Sequence, residues 1–226
     1  TGFRSLGTIN LSQGSTLDVS GTASNANVAG SVLIRGGQFV MNDSSIAAVA
    51  TGSNPDTGIS GGSIEVTAKQ VTLSNHSTID ITATSSAFFD PGSPGHITFN
   101  VGTFSAADSA ILAKGNDVGG GAVTIQGLRG SGTFAHAVSL TDTEVATSVC
   151  CIVGDGGPLL LWADTIALNQ NILNATGHTG GPITLVSRGD VDIRNSSLET
   201  GRIFGLGGTV TLNAATSLNL IGTSIS

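Results

Sequence analysis

One short motif recurs along the whole chain: a glycine, any residue, then apolar residues at alternate positions. It stands at Gly7-Thr8-Ile9-Asn10-Leu11, Gly30-Ser31-Val32-Leu33-Ile34 and Gly62-Ser63-Ile64-Glu65-Val66. It returns at Gly95-His96-Ile97-Thr98-Phe99 and Gly121-Ala122-Val123-Thr124-Ile125. The last three copies open at Gly157, Gly181 and Gly208. Eight starts span 201 residues in seven steps of 23 to 36, about 29 each. Self-similarity at such a period marks a solenoid or an array, in which each repeat is one supersecondary unit.

Each repeat has three beats. In the clearest, Ile64 and Val66 alternate with polar neighbours, then Val71 and Leu73, then Ile79 and Ile81. A small polar corner, Ser74-Asn75-His76-Ser77, separates the second beat from the third. It recurs as Asn42-Asp43-Ser44-Ser45 and as Arg194-Asn195-Ser196-Ser197. Period-2 alternation bounded by Gly, Asn, Asp and Ser reads as short half-buried strands. No helical spacing is sustained, and Gly and β-branched residues are poor helix formers.

One such coil buries too few apolar side chains to order itself. Stacked coils share strand hydrogen bonds and join their apolar rows into one core. The sequence therefore predicts an all-β, single-stranded parallel β-helix (solenoid) of about eight three-strand coils. It forms one continuous repeat region over residues 1–226. At about 4.8 Å between strands the rod core is roughly 35–40 Å long. A longer period overlies the first: Val32 to Gly36 resembles Val123 to Gly127, and Ala68 to Leu73 resembles Ala163 to Leu168. Insertions at 52–60, 85–94 and 115–119 fall between coils, and one at 129–137 interrupts a coil.

This pattern explains an unusual composition. The chain holds 33 Gly, 27 Ser and 27 Thr, with 10% charged and 39% hydrophobic residues. Glycine is assigned to corners, where positive φ is free of penalty. Ser and Thr coat outward strand positions, which Thr suits as a β-branched residue. The apolar residues line the interior. Eight Lys plus Arg against fifteen Asp plus Glu leave a net charge of −7. The cations are scattered singly, which argues against nucleic acid as a partner. No apolar run approaches the length of a membrane span. The first residue is Thr1 and the only Met is Met41, so a processed product or a segment of a longer protein is expected.

Candidate chemistry is sparse. Asp190 and Asp192 lie two apart on a strand with Arg194 beyond, so all three form an outward polar patch. A glycosidase needs two carboxylates about 5–9.5 Å apart on one site. The competing reading is an exposed face cross-paired to Arg194. Asp142 and Glu144 make a weaker pair. His76, His96, His136 and His178 are never closer than 20 residues, without metal-ligand spacing. No catalytic residue, metal or cofactor is expected. Cys150-Cys151 is open to three states: a vicinal disulfide, reduced packing, or an interchain bond. Sequons stand at Asn42, Asn75, Asn174 and Asn195, and Arg188-Gly189-Asp190 spells a cell-attachment triplet.

The run from Gly61 to Ile79, Gly-Gly-x-Ile-x-Val-x-Ala-x-x-Val-x-Leu-x-Asn-x-Ser-x-Ile, resembles the stalk repeats of filamentous-haemagglutinin-type exoproteins of bacterial two-partner secretion. The segments from Gly180 to Leu198 and from Gly207 to Leu220 are similar but looser. The resemblance implies a right-handed β-helical fibre, export through an outer-membrane secretion partner, and an extracellular or cell-surface location. It also implies host-surface or glycan ligands. The function expected is a structural and adhesive stalk without catalysis. Alternatives are a self-assembling surface-layer or filament subunit, joined end to end or laterally, and a carbohydrate-active β-helix enzyme.

Overall fold

A computed structural model describes residues 6–21, 28–52, 59–85, 95–150, 154–201 and 205–226. Among these residues every regular element is a strand and every strand pairing is parallel. The chain is a β-solenoid, as the repeat predicts. One turn shows the plan. The strand Ser63–Ser74 bends midway to supply two sides, Ser77–Asp80 supplies the third, and Ala83–Ser85 the fourth.

Two details differ from the sequence reading. The stack has about six complete turns rather than eight, with a partial turn at each end. The reason is visible at Gly7: Thr8 to Ser12 pairs with Gln38 to Asn42, which makes it a second side and not the opening of a coil. The other difference is the fourth side. Ala50–Gly52, Ala83–Ser85, Gly115–Asn116 and Val149–Cys150 form their own small parallel sheet. Its residues are mostly small, so it carries no apolar alternation to announce it.

The register turns the apolar beats into straight rows. On the first side Val32, Ile64, Ile97, Val123, Leu159, Ile183 and Val210 succeed one another at matched positions. On the third side the row is Leu17, Ile46, Ile79, Ile111, Val145, Leu173, Leu198 and Ile225. Both pairs of resembling segments fall at equivalent places three turns apart. Leu73 reaches Leu168 through Ala106 and Leu140, for example. The rows are fully buried where turns lie on both sides, as at Val191, Ile193 and Leu198 (0% exposed). In the last turn Leu218, Leu220 and Ile225 hold the same rows at 47%, 43% and 49% exposure. That difference is what one neighbouring turn contributes to burial.

The corner between the second and third sides is a column with its own chemistry. Gln13, Asp43, Asn75, Asp108, Asp142, Gln170 and Asn195 occupy it with φ between 47° and 58°. Asn and Asp tolerate that left-handed region better than other side chains. Beneath them lies a row of polar groups turned inward. Ser44, Ser77, Ser109, Thr143 and Ser196 each donate to a carbonyl two or three residues back, at 2.6–3.0 Å. In one turn an asparagine replaces the hydroxyl. Asn171 donates to the Leu140 carbonyl (2.9 Å), accepts from the Thr143 N–H (3.0 Å), and donates its own N–H to Ser196 Oγ (3.0 Å).

The repeated glycine has a reason other than the one composition suggests. Gly62, Gly157, Gly181 and Gly208 are not in the positive-φ region, although Gly95 is (88°). Each overlies the backbone of the previous turn so closely that a Cβ would strike a carbonyl oxygen: that of Gly30, Gly121, Gly157 and Gly181 in turn. A row of side chains cannot fit there, so close approach of backbones demands glycine.

Candidate functional site

Asp190, Asp192 and Arg194 stand on the outward face of the strand Asp190–Arg194, while Val191 and Ile193 point into the core. Arg194 Nε donates to both oxygens of Asp192 at 3.0 Å, and its Nη2 lies 2.9 Å from Asp192 Oδ2. The next turn contributes as well: Asn219 donates to Asp192 (3.1 Å) and Ser217 to Asp190 (2.6 Å). These partners are the residues in register with the two aspartates. Both carboxylates are therefore held within the sheet surface by cation and cross-turn hydrogen bonds.

The attachment triplet is held in the same way. Arg188 Nε donates to Asp164 Oδ1 (2.6 Å), and its guanidinium carbon sits 4.8 Å from the centre of the Phe134 ring. Asp190 is the aspartate bonded to Ser217. The triplet lies flat on the solenoid between two strands rather than on a projecting loop.

Asp142 and Glu144 border a groove of about 400 Å³ along the polar corner, with His76 and Asp108. His76 Nε2 lies 3.4 Å from Asp108, and Glu144 pairs with Lys114 at 2.7 Å. Among the described residues no three His, Cys, Asp or Glu side chains converge as a metal site would. His96 opens the strand His96–Leu112 as an exposed residue. His178 Nδ1 is buried without a hydrogen-bond partner. Cys150 is exposed, with Sγ 2.7 Å from Asn116 Oδ1 in the turn before. Cys151 lies outside the described residues, and with it the disulfide question. The sequon residues Asn42 and Asn75 bond to each other through their side chains (2.6 Å), and Asn174 accepts from Thr176. Asn195 is one of the left-handed corner residues.

Asp18 shows how a corner tunes a carboxylate. Ser20 hydrogen-bonds it from both side chain and backbone, the latter at 2.9 Å, and this holds its carboxyl below the ordinary range. The backbone N–H two residues on also donates to Asp80 (from Thr82, 2.7 Å) and to Asn174 Oδ1 (from Thr176, 3.0 Å).

The region sequence reasoning missed is built by the insertion within a coil. After Gly127 the chain leaves the wall, turns through Gly130 and Gly132, and rejoins at Ala135. This excursion lies over the outward face of the first side. Asn100 and Gln126 stand at outward positions, yet they are only 9% and 8% exposed and bond to each other (2.9 Å). Trp162 also points outward from Leu159–Asn169 and stacks on Phe134, with ring centres 5.4 Å apart. Its Nε1 is buried without a hydrogen-bond partner. Phe134 thus contacts both the Trp162 ring and the Arg188 guanidinium. Beside them opens a cavity of about 580 Å³ whose wall includes Leu128, Arg129, Phe134, His136 and Arg188. The signal that could have found it was the interruption at 129–137, but not which residues it would cover. Comparison with family models, with curated proteins and with solved structures returned no match.

Proposed function

We propose that this chain is a rigid structural and adhesive stalk element of a filamentous protein at the bacterial surface, exported through an outer-membrane partner and without catalysis of its own. One observation carries the reading: an uninterrupted register on the second side, from Thr8 to Ile221, in which each turn templates the next. Such a stack resists bending because strand hydrogen bonds and apolar rows both run along its axis. The carboxylates nearest to a glycosidase arrangement support the same reading, since Asp192 is spent on Arg194 and Asn219. The excursion after Gly127 displaces only an outer face and leaves the core rows intact. Such insertions are suited to presenting contact residues for host surfaces or glycans.

The test is antibody labelling of intact, unpermeabilised source cells with serum raised against this chain, alongside electron microscopy. Labelled filaments are the expected result. Labelling only after permeabilisation would sink the proposal. So would hydrolysis or lyase cleavage of an acidic polysaccharide that disappears in Asp190→Asn or Asp192→Asn.

A further inference from the structure

The geometry points to the cavity beside the 129–136 excursion as a binding site for a carboxylate-bearing sugar of the uronate class. It rests on the stalk reading only in taking its ligand from outside the cell. The first argument is charge. The chain carries −7 overall, yet this cavity is lined by Arg129 and Arg188 and by no carboxylate; the nearest, Asp164, sits behind the rim, against Arg188 and 3.5 Å from His136 Nδ1. Two of the eight Lys and Arg residues, far apart in sequence, meet at one opening. The second argument is preorganisation. Asp164 grips Arg188 through Nε and Nη2, Phe134 lies under its guanidinium, and Trp162 stacks on Phe134. A guanidinium fixed before binding loses little freedom on meeting its ligand. Asp164 takes Nε and one edge of Nη2, and the N–H groups it leaves, on Nη1 and the outer edge of Nη2, are the donors for a ligand carboxylate. Arg129 makes no ion pair among the described residues and is exposed at the rim.

The third argument selects sugar over peptide. Strand addition, one way in which an extended peptide binds, needs a free strand edge. Around this cavity the edges are taken, because Ala135–Ala146 pairs with the turns on both sides of it, as does Leu159–Asn169. What remains is a walled, open space of about 580 Å³ with Leu128 and Val101 for the C–H faces of a ring and Thr133 for its hydroxyls. The volume lies within the usual range of small-ligand sites, about 300–1,000 Å³.

Titration calorimetry of the 226-residue chain with a short galacturonate oligomer tests the site, with the methyl-esterified oligomer and dextran sulfate as the other arms. Binding of the free acid is expected, with affinity for the ester about tenfold weaker or worse, because charge-assisted bonds are lost. Arg129→Ala should weaken binding by about tenfold while the far-ultraviolet circular dichroism stays unchanged. Arg188→Lys keeps the charge and loses the fork, and should also weaken it. No binding of the acid, equal binding of the ester, equal or tighter binding of dextran sulfate, or an unaffected Arg129→Ala would each overturn the assignment. None of these would touch the surface-labelling result, so the stalk reading and the sugar site fail separately.

Discussion

Replacing Gly157 by alanine should cost more than any ordinary surface substitution in this chain, although it adds one methyl group. A Cβ at this position would land on the Gly121 carbonyl oxygen and come within 2.6 Å of that of Gly120. Both obstacles are backbone, so no side chain can swing away. The two turns would have to separate or slide. Gly157 is bonded to Thr147 twice, by its N–H to the Thr147 carbonyl (2.8 Å) and by its carbonyl from Thr147 Oγ1 (2.7 Å). The adjoining rung, Val123 N–H to the Pro158 carbonyl, is 3.0 Å. Loss of these three bonds at about 0.5–1.5 kcal/mol each gives a destabilisation of about 3 kcal/mol. Gly119→Ala is the control, because its Cβ would meet nothing closer than the Asp155 carbonyl at 3.8 Å. That change should be neutral or stabilise by about 0.4–1 kcal/mol through the unfolded chain. Urea unfolding followed by far-ultraviolet circular dichroism compares the two. Equal midpoints for Gly157→Ala and Gly119→Ala would refute the claim that backbone stacking imposes the repeated glycine.

Asn171→Ala leaves two buried groups of the preceding turn, the Leu140 carbonyl and the Thr143 N–H, without their side-chain partner and should destabilise by about 2 kcal/mol or more, measured by the same unfolding curves. Leu168→Ala, at a site 1% exposed, should cost about 2–5 kcal/mol, and Leu220→Ala, in the same row at 43% exposure, markedly less. Thermal melts that rank them the other way would contradict the stacking account. Asp192→Asn should shift stability by no more than about 1 kcal/mol, because its pair with Arg194 is solvent-exposed. Asp18 should titrate below the ordinary carboxylate range by nuclear magnetic resonance, and Ser20→Ala should raise it. The sign follows from a depressed folded-state value: the stabilisation is complete above the unfolded-state pKa and is lost as pH falls through the folded-state one.

What could be read from the sequence was whatever repeats with a period of two. Ile64, Val66, Val71 and Leu73 alternate with polar residues because one wall faces the core and the other water. The polar corner was legible for the same reason, since each turn needs a left-handed residue and a buried hydroxyl at fixed offsets. The fourth side was not, because Ala50, Ala83 and Gly115 are too small to alternate visibly. The first turn was misplaced because Gly7-Thr8-Ile9-Asn10-Leu11 and Gly37-Gln38-Phe39-Val40-Met41 are alike: both follow a glycine at the bend between the first and second sides. The polar patch at Asp190 could be placed on its strand, but its partners Ser217 and Asn219 sit a whole turn away and depend on register.

Register also explains why the cation-lined cavity escaped a linear reading, and why it can change without harm to the fold. Trp162 occupies an outward position in the row that runs through Asn100, Gln126 and Val186. Solvent would reach all of these if the chain did not leave the wall after Gly127. The excursion rejoins at Ala135, which stays in register with Ala163, so the inward rows continue as if nothing had been inserted. An outer layer is thus added at no cost to the core, and its chemistry is set by residues the solenoid does not need. Arg129 and Leu128 are exposed in this layer, whereas Val123 and Ile125 just before it are fully buried. Substitutions at Arg129 therefore act on the cavity alone. Substitutions at Ile125 act on every turn that leans on it.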